Sequence, residues 1–178
     1  MKGYRINQII KDDSYKEICV RALQLFDPDI EDMMIFKSDV GNRPVEYLKN
    51  KRLGTMPLST YGDGIKKVLV LANAIVGAAN GILLIDEIET AIHKKYYDDI
   101  FRFIVKACGA FNVQVFITTH SIEAIDGLLE TQDYEKQNES DAITVVTLKR
   151  QDQKTYARVL SGREVYENRE AFGFEVRI

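Results

Sequence analysis

Six consecutive residues, Ile82-Leu83-Leu84-Ile85-Asp86-Glu87, join an apolar run to two carboxylates. An aspartate so placed can hold Mg²⁺, a cation that takes one or two carboxylates and keeps several waters. The neighbouring glutamate points elsewhere and can orient or activate a water for attack on a phosphoryl group. The simpler alternative is that Asp86 and Glu87 merely open a helix, whose dipole favours acids at its start. A second group, Thr118-Thr119-His120-Ser121, closes the next apolar run, VQVFIT. Beside the acidic pair, His120 suits hydrogen bonding to a terminal phosphate or to the attacking water; taken singly, a histidine is more often structural. A third group, Leu58-Ser59-Thr60-Tyr61-Gly62-Asp63-Gly64, precedes a helical pattern. Its hydroxyl and two glycines can turn backbone N–H groups toward an anion, or can form a plain N-cap turn.

The elements that must position these groups follow from periodicity. Residues 65–79 carry Val68, Leu71, Ala72, Ile75 and Ala79 on one helical face, and Gly81 breaks the pattern. ILLI, 82–85, reads as a strand buried on both faces, as in a parallel sheet. A long helix follows, with Ile92, Tyr96, Ile100, Ile104 and Cys108 aligned and Gly109 ending it. VQVFIT, 113–118, is a second buried strand, and a helix opening near Ser121 buries Ile122, Ile125 and Leu129. This strand–helix–strand order implies a right-handed parallel crossover and an α/β layer fold. Asp86, Glu87 and His120 then sit at the carboxyl ends of neighbouring strands, where open α/β sheets bind ligands.

Upstream, residues 14–26 place Ile18, Ala22, Leu25 and Phe26 at helical spacing, and DPD stops the helix. Ile30 to Ser38 reads as a strand, GNRP as a turn, and 46–58 as a strand or extended piece. Downstream, TQDYEKQNES is a polar loop, and AITVVTL and TYARVL, joined by KRQDQK, form a hairpin. A short helix spans Arg163 to Phe172. The expected organisation is a single domain over 1–178, with regions 1–56, 57–130 and 131–178.

Composition narrows the function classes. The chain has 178 residues, 46% of them hydrophobic and 29% charged, which supports a real core and excludes global disorder. With 24 basic and 27 acidic residues the net charge is −3, which argues against a histone-like nucleic-acid binder. No apolar run approaches the ~18–20 residues needed to cross a bilayer, and the N-terminus lacks the apolar stretch of an export signal. Cys19 and Cys108 have no CxxC partner and read as buried thiols of a cytoplasmic protein. His93 and His120 lack the spacing of a zinc site. Tyr96 and Tyr97, with Lys94, Lys95 and Arg102, could face nucleic acid; a helix with one core face and one solvated face is simpler.

In this order and spacing, the three groups resemble the C-terminal lobe of ABC-like ATPase heads, of the AAA/ABC-like group that includes the OLD and RecF-type proteins. The fold this implies is a partial P-loop NTPase fold ending in a β-hairpin and short helix. LSTYGDG is similar to the family's signature loop, ILLIDE to its Walker B strand and TTHS to its switch-histidine strand, while EIETAIHKK lies where the D-loop belongs. The resemblance implies that Asp86 helps hold Mg²⁺, that Glu87 is the catalytic base and that His120 senses the γ-phosphate. It implies that Ser59, Gly62 and Gly64 contact the ATP of a second head, and that Ala91 and Ile92 lie near the dimer seam. No G-x-x-x-x-G-K-[ST] loop occurs in the chain. ATP hydrolysis is therefore expected only when a Walker A lobe is supplied, by a missing N-terminal part or by a partner chain in a homodimer or hetero-complex. The alternative is a non-catalytic interaction module or remnant within a DNA-processing or defence complex, with any DNA contact assigned to missing regions.

Overall fold

The computed structural model describes residues 12–37, 44–134, 141–173, 175 and 176; the GNRP turn falls largely outside them. The chain divides into two compact units, Met1–Ile85 with Arg102–Ile117, and Asp86–Phe101 with Thr118–Ile178.

In the first unit, helix α1 (Asp13–Gln24) starts where the Asp12 side chain accepts a hydrogen bond from the Tyr15 N–H at 3.1 Å. Its buried stripe runs through Tyr15, Cys19, Ala22 and Leu23, one step round the helix from the stripe expected at Ile18, Leu25 and Phe26. Tyr15 supplies the reason: its hydroxyl donates to the buried Asn73 side chain and ties α1 to a later helix. Burial pushes the Cys19 and Cys108 thiols up to about 11, with Tyr15 partly opposing this at Cys19.

Strands β1 (Ile30–Lys37), β2 (Pro44–Asn50) and β3 (Gly54–Pro57) form an antiparallel meander. The uncertain 46–58 stretch is therefore two strands around a turn. Asn50 makes that turn, its Oδ1 accepting the N–H groups of Arg52 and Leu53 at 2.9 and 3.1 Å. A 3₁₀ turn, Leu58–Tyr61, leads through Gly62 into α2 (Asp63–Gly77), which buries Ile65, Val68, Leu69, Ala72 and Ile75. Leu71 is only half-buried, and Ala79 lies past the helix end, exposed.

Strands β4 (Ile82–Ile85) and β5 (Gln114–Ile117) pair in parallel, Ile82 with Gln114 through Ile85 with Ile117. The two strands and their parallel pairing are as expected, but the burial on both faces is corrected. Only one face is sheltered: Ile82, Leu84 and Phe116 are 60%, 75% and 52% exposed. A short apolar run gives no period by which sequence alone separates a one-sided from a two-sided strand.

The single long helix expected after β4 is also corrected. A four-residue helix, α3 (Ile88–Ala91), is followed by extended backbone at Ile92 and His93 and a 3₁₀ turn at Lys94–Tyr96. Helix α4 then runs Tyr97–Ala110, one residue past Gly109. The His93 ring accepts the Lys95 N–H at 3.3 Å, capping the new start and accounting for the break.

The second unit holds α5 (Ile122–Leu129), the hairpin β6 (Thr144–Gln151) and β7 (Lys154–Ser161), and α6 (Gly162–Phe172). Ser121 caps α5 by accepting the Ala124 N–H at 3.2 Å. The hairpin turns in two residues, Asp152 and Gln153, both with positive φ (48° and 62°), the geometry that suits the twist of the strands. A capping box between Ser161 and Glu164 opens α6. Leu129, Val165 and Val176 form the small core between these elements, and Arg169 of α6 grips Asp126 of α5, Nη2 to Oδ2 at 2.6 Å.

Gly127 sets α5 against Phe101. A Cβ there would lie 3.1 and 3.2 Å from two atoms of the Phe101 ring, which is fully buried and stacked on Tyr97 at 4.7 Å. Gly127→Val should therefore overpack this contact and cost about 1–3 kcal/mol of stability. Denaturant melts of the two chains measure the difference.

Candidate functional site

Because β4 and β5 are parallel and in register, Asp86 and Thr118 each follow directly on paired residues, Ile85 and Ile117. The Thr118 hydroxyl donates to Asp86 Oδ1 at 2.6 Å and accepts the Glu87 N–H at 2.9 Å. The Ile88 N–H donates to the Thr118 carbonyl at 3.2 Å. One threonine thus orients the aspartate and fixes the backbone that carries the glutamate.

Glu87 sits in the left-handed region, φ 46° and ψ 64°, directly ahead of α3. A non-glycine residue held there costs on the order of 1–3 kcal/mol, and such residues cluster at functional sites. The Glu87 carboxylate is exposed and, although Glu87 stands at the start of α3, makes no hydrogen-bonded cap to it. Asp86 is also exposed; its Oδ1 is engaged by Thr118, and its other oxygen accepts no hydrogen bond from the described residues. Hard oxygen donors with one carboxylate, open to water and phosphate, fit Mg²⁺. Among the described residues no three His, Cys, Asp or Glu side chains converge, so an all-protein metal cage is not what this site offers.

Glu89, which belongs to none of the three groups legible in the sequence, reaches across to the other strand end. Its Oε2 accepts the Thr119 hydroxyl at 2.6 Å and its Oε1 accepts the His120 N–H at 2.7 Å. Thr119 Oγ1 also accepts the Ser121 N–H at 3.0 Å. Partial burial raises the Glu89 pKa, but the Thr119 and His120 hydrogen bonds and the nearby imidazole outweigh it, leaving the carboxyl below its ordinary value. The stability this contributes is present above the usual carboxylate range and is lost as pH falls through the lowered pKa. An acid two places past Asp86-Glu87, facing two threonines on the next strand, was the available signal.

Asp86, Glu87 and His120 thus belong to one local network carried by Thr118, Thr119 and Glu89. Ser59, Gly62 and Gly64 lie in the other unit, at the start of α2, where Ser59 is exposed and Gly62 adopts φ 83°. Of the two residues expected near a dimer seam, Ile92 is 2% exposed, so its side chain points inward; the side chain of Ala91 lies outside the described residues. Tyr97 is buried against Phe101 and Lys94 pairs with Glu123 at 3.0 Å. Glu123 is held down at about 2, first by its own backbone amide and then by Lys94 and Ser121.

Over residues 13–126 the sequence matches the family described as "AAA domain, putative AbiEii toxin, Type IV TA system". An uncharacterized protein of Methanocaldococcus jannaschii is 33% identical over 116 residues, which are 65% of this chain and 98% of that protein. An ATP/GTP phosphatase of Helicobacter pylori is 28% identical over an alignment covering 93% of this chain; the chain spans only 45% of that protein. Among solved structures, a chain from work on ATP-driven dimerization and DNA-stimulated activation of SMC ATPases superposes with a TM-score of 0.57 at 11% identity. That match covers 94% of this chain and 96% of the other. An Smc head bound to the C-terminal winged-helix domain of ScpA gives 0.52 at 11% identity, over 92% of this chain and 49% of that one. At such identities the likeness establishes the fold, a mixed α/β fold like that of SMC ATPase heads.

Proposed function

Since the chain belongs to the AAA-domain family whose description includes putative AbiEii toxins of type IV systems, we propose that it is the C-terminal half of an ABC-like ATPase head. In this reading it acts with a Walker A lobe to bind ATP and hydrolyse its terminal phosphoanhydride. The observation that carries the reading is the Thr118 hydroxyl, which holds Asp86 and the Glu87 amide together while leaving the Glu87 carboxylate open to water. Bound Mg²⁺ would neutralise charge on the β- and γ-phosphates. Asp86 would hold that ion, directly or through water. Glu87, whose backbone is left-handed and whose carboxylate is exposed, takes the proton of the attacking water. His120, at the neighbouring strand end, hydrogen-bonds the γ-phosphate. Ser59, Gly62 and Gly64 serve as a signature loop, completing the nucleotide site of a second head in a cytoplasmic, two-fold dimer of OLD/RecF-type design.

Two further observations support a separate lobe. The exposed face of Ile82, Leu84 and Phe116 is a sheet surface of the kind that parallel sheets normally keep covered by packed elements. The H. pylori relative, of which this chain spans 45%, is long enough to carry the remainder. An open Glu87 carboxylate also favours catalysis over a remnant that keeps only the fold. Among the described residues no helix is long and apolar enough to cross a membrane. The test is phosphate release from ATP by this chain joined to, or mixed with, a phosphate-loop lobe. Hydrolysis should require both the lobe and Mg²⁺ and should fall with Asp86→Asn; hydrolysis indifferent to Mg²⁺ and to that change would refute the assignment.

A further inference from the structure

Three candidates emerge outside the acidic pair. The apolar face of β4 and β5 is already taken up by the lobe proposed above. The hairpin face of Val146, Leu148 and Val159 is exposed, but nothing in the structure says what covers it. The third is Glu89, whose carboxylate is spent on the backbone and hydroxyl of the strand end that bears the proposed phosphate sensor.

We propose that Glu89 is a positioning residue that fixes the His120 imidazole, acting as a two-point clamp between the turn after β4 and the turn after β5. Its consequence for turnover rests on the hydrolase reading; the clamp itself does not. His120 lies in a non-helical turn between β5 and α5, and such a turn has no ladder of its own to hold its N–H groups. Glu89 accepts the His120 N–H through one oxygen and the Thr119 hydroxyl through the other, at 2.7 and 2.6 Å. Charge-assisted bonds of this length are the stronger class. Thr119 in turn receives the Ser121 N–H, so the one carboxylate orders three successive residues, 119 to 121. Ser121 then caps α5, which anchors the far side of the turn. Glu89 itself is on α3, whose start is pinned to Thr118 by the Ile88 N–H. Both ends of the clamp are thereby fixed, and the backbone from which the imidazole projects is held in place. A misplacement of about 1 Å in a catalytic group can cost on the order of 10²-fold in rate.

Two measurements separate this inference from the hydrolase reading. The first is amide hydrogen exchange by NMR on the 178-residue chain without nucleotide. Glu89→Ala should speed exchange of the His120 amide by about ten-fold or more, the loss of one charge-assisted bond. Glu89→Gln, whose amide oxygen still accepts, should stay within about three-fold of the parent. Exchange unchanged in Glu89→Ala overturns the clamp, whatever the chain hydrolyses. The second is ATP hydrolysis with the Walker A lobe present. Glu89→Ala should lower kcat about as far as His120→Ala, with KM for ATP within about three-fold, and the double variant should be no slower than His120→Ala alone. Additive losses in the double variant overturn the positioning role. Should Glu89→Ala fail to fold, Glu89→Asp carries both tests, since it keeps the charge but is one methylene too short to reach both donors. If the parent protein hydrolyses nothing, the hydrolase reading fails and the exchange measurement alone decides the clamp.

Discussion

Replacing Glu87 with Gln should leave ATP binding within about three-fold and slow hydrolysis by about 10²–10⁴-fold, the contribution of a well-placed general base. The amide keeps the size of the side chain and cannot accept the proton of the attacking water at neutral pH. The change should not disturb the fold, because the Glu87 backbone N–H, not its carboxylate, makes the bond to Thr118, and the side chain caps nothing. Single-turnover phosphate release and a nucleotide titration, both with the phosphate-loop lobe present, separate the two effects. The expected product is a long-lived ATP-bound state. Turnover at the parent rate would remove Glu87 from its role and shift attention to a different base.

The second large effect concerns the sheet face. Leu84→Glu should weaken association with the phosphate-loop lobe by about 10³-fold, since burying an unpaired carboxylate costs several kcal/mol, of which about 4 kcal/mol corresponds to that factor. Leu84 is 75% exposed in this chain, flanked on the same face by Ile82 and Phe116. Folding of the chain alone should therefore change by less than about 0.5 kcal/mol, as for other surface substitutions. A titration of the parent and variant chains with the separately prepared lobe, beside their thermal melts, reads both quantities. Equal affinity would mean that this face is not the seam, and that the open strands have another cover.

Much of this arrangement could be read from residue order. Asp12, Ser121 and the Ser161–Glu164 pair mark three helix starts by side chains that bond back to the backbone, a local signal that needs no tertiary knowledge. The meeting of Asp86 with Thr118 follows from two apolar runs in a parallel crossover, because strands of equal length in register must end together. What escaped is of a different physical kind. The helix expected through Ile92 keeps its apolar alignment across the break at His93, so periodicity does not reveal a cap made by an imidazole. ILLI and QVFI look fully buried because every residue is apolar or nearly so, yet exposure alternates along both. Glu89 was passed over because its value lies in reach: its partners are 30 and 31 positions away.

The central claim is that Asp86, Glu87 and His120 attend a single metal-bound triphosphate, and paramagnetic broadening tests it most directly. With the phosphate-loop lobe and a non-hydrolysable ATP analogue bound, replacing Mg²⁺ by Mn²⁺ should broaden the His120 ring signals beyond detection, and Asp86→Asn should restore them by weakening the metal. His120 signals that stay sharp while the Mn²⁺ nucleotide is demonstrably bound would place the metal elsewhere and contradict the account.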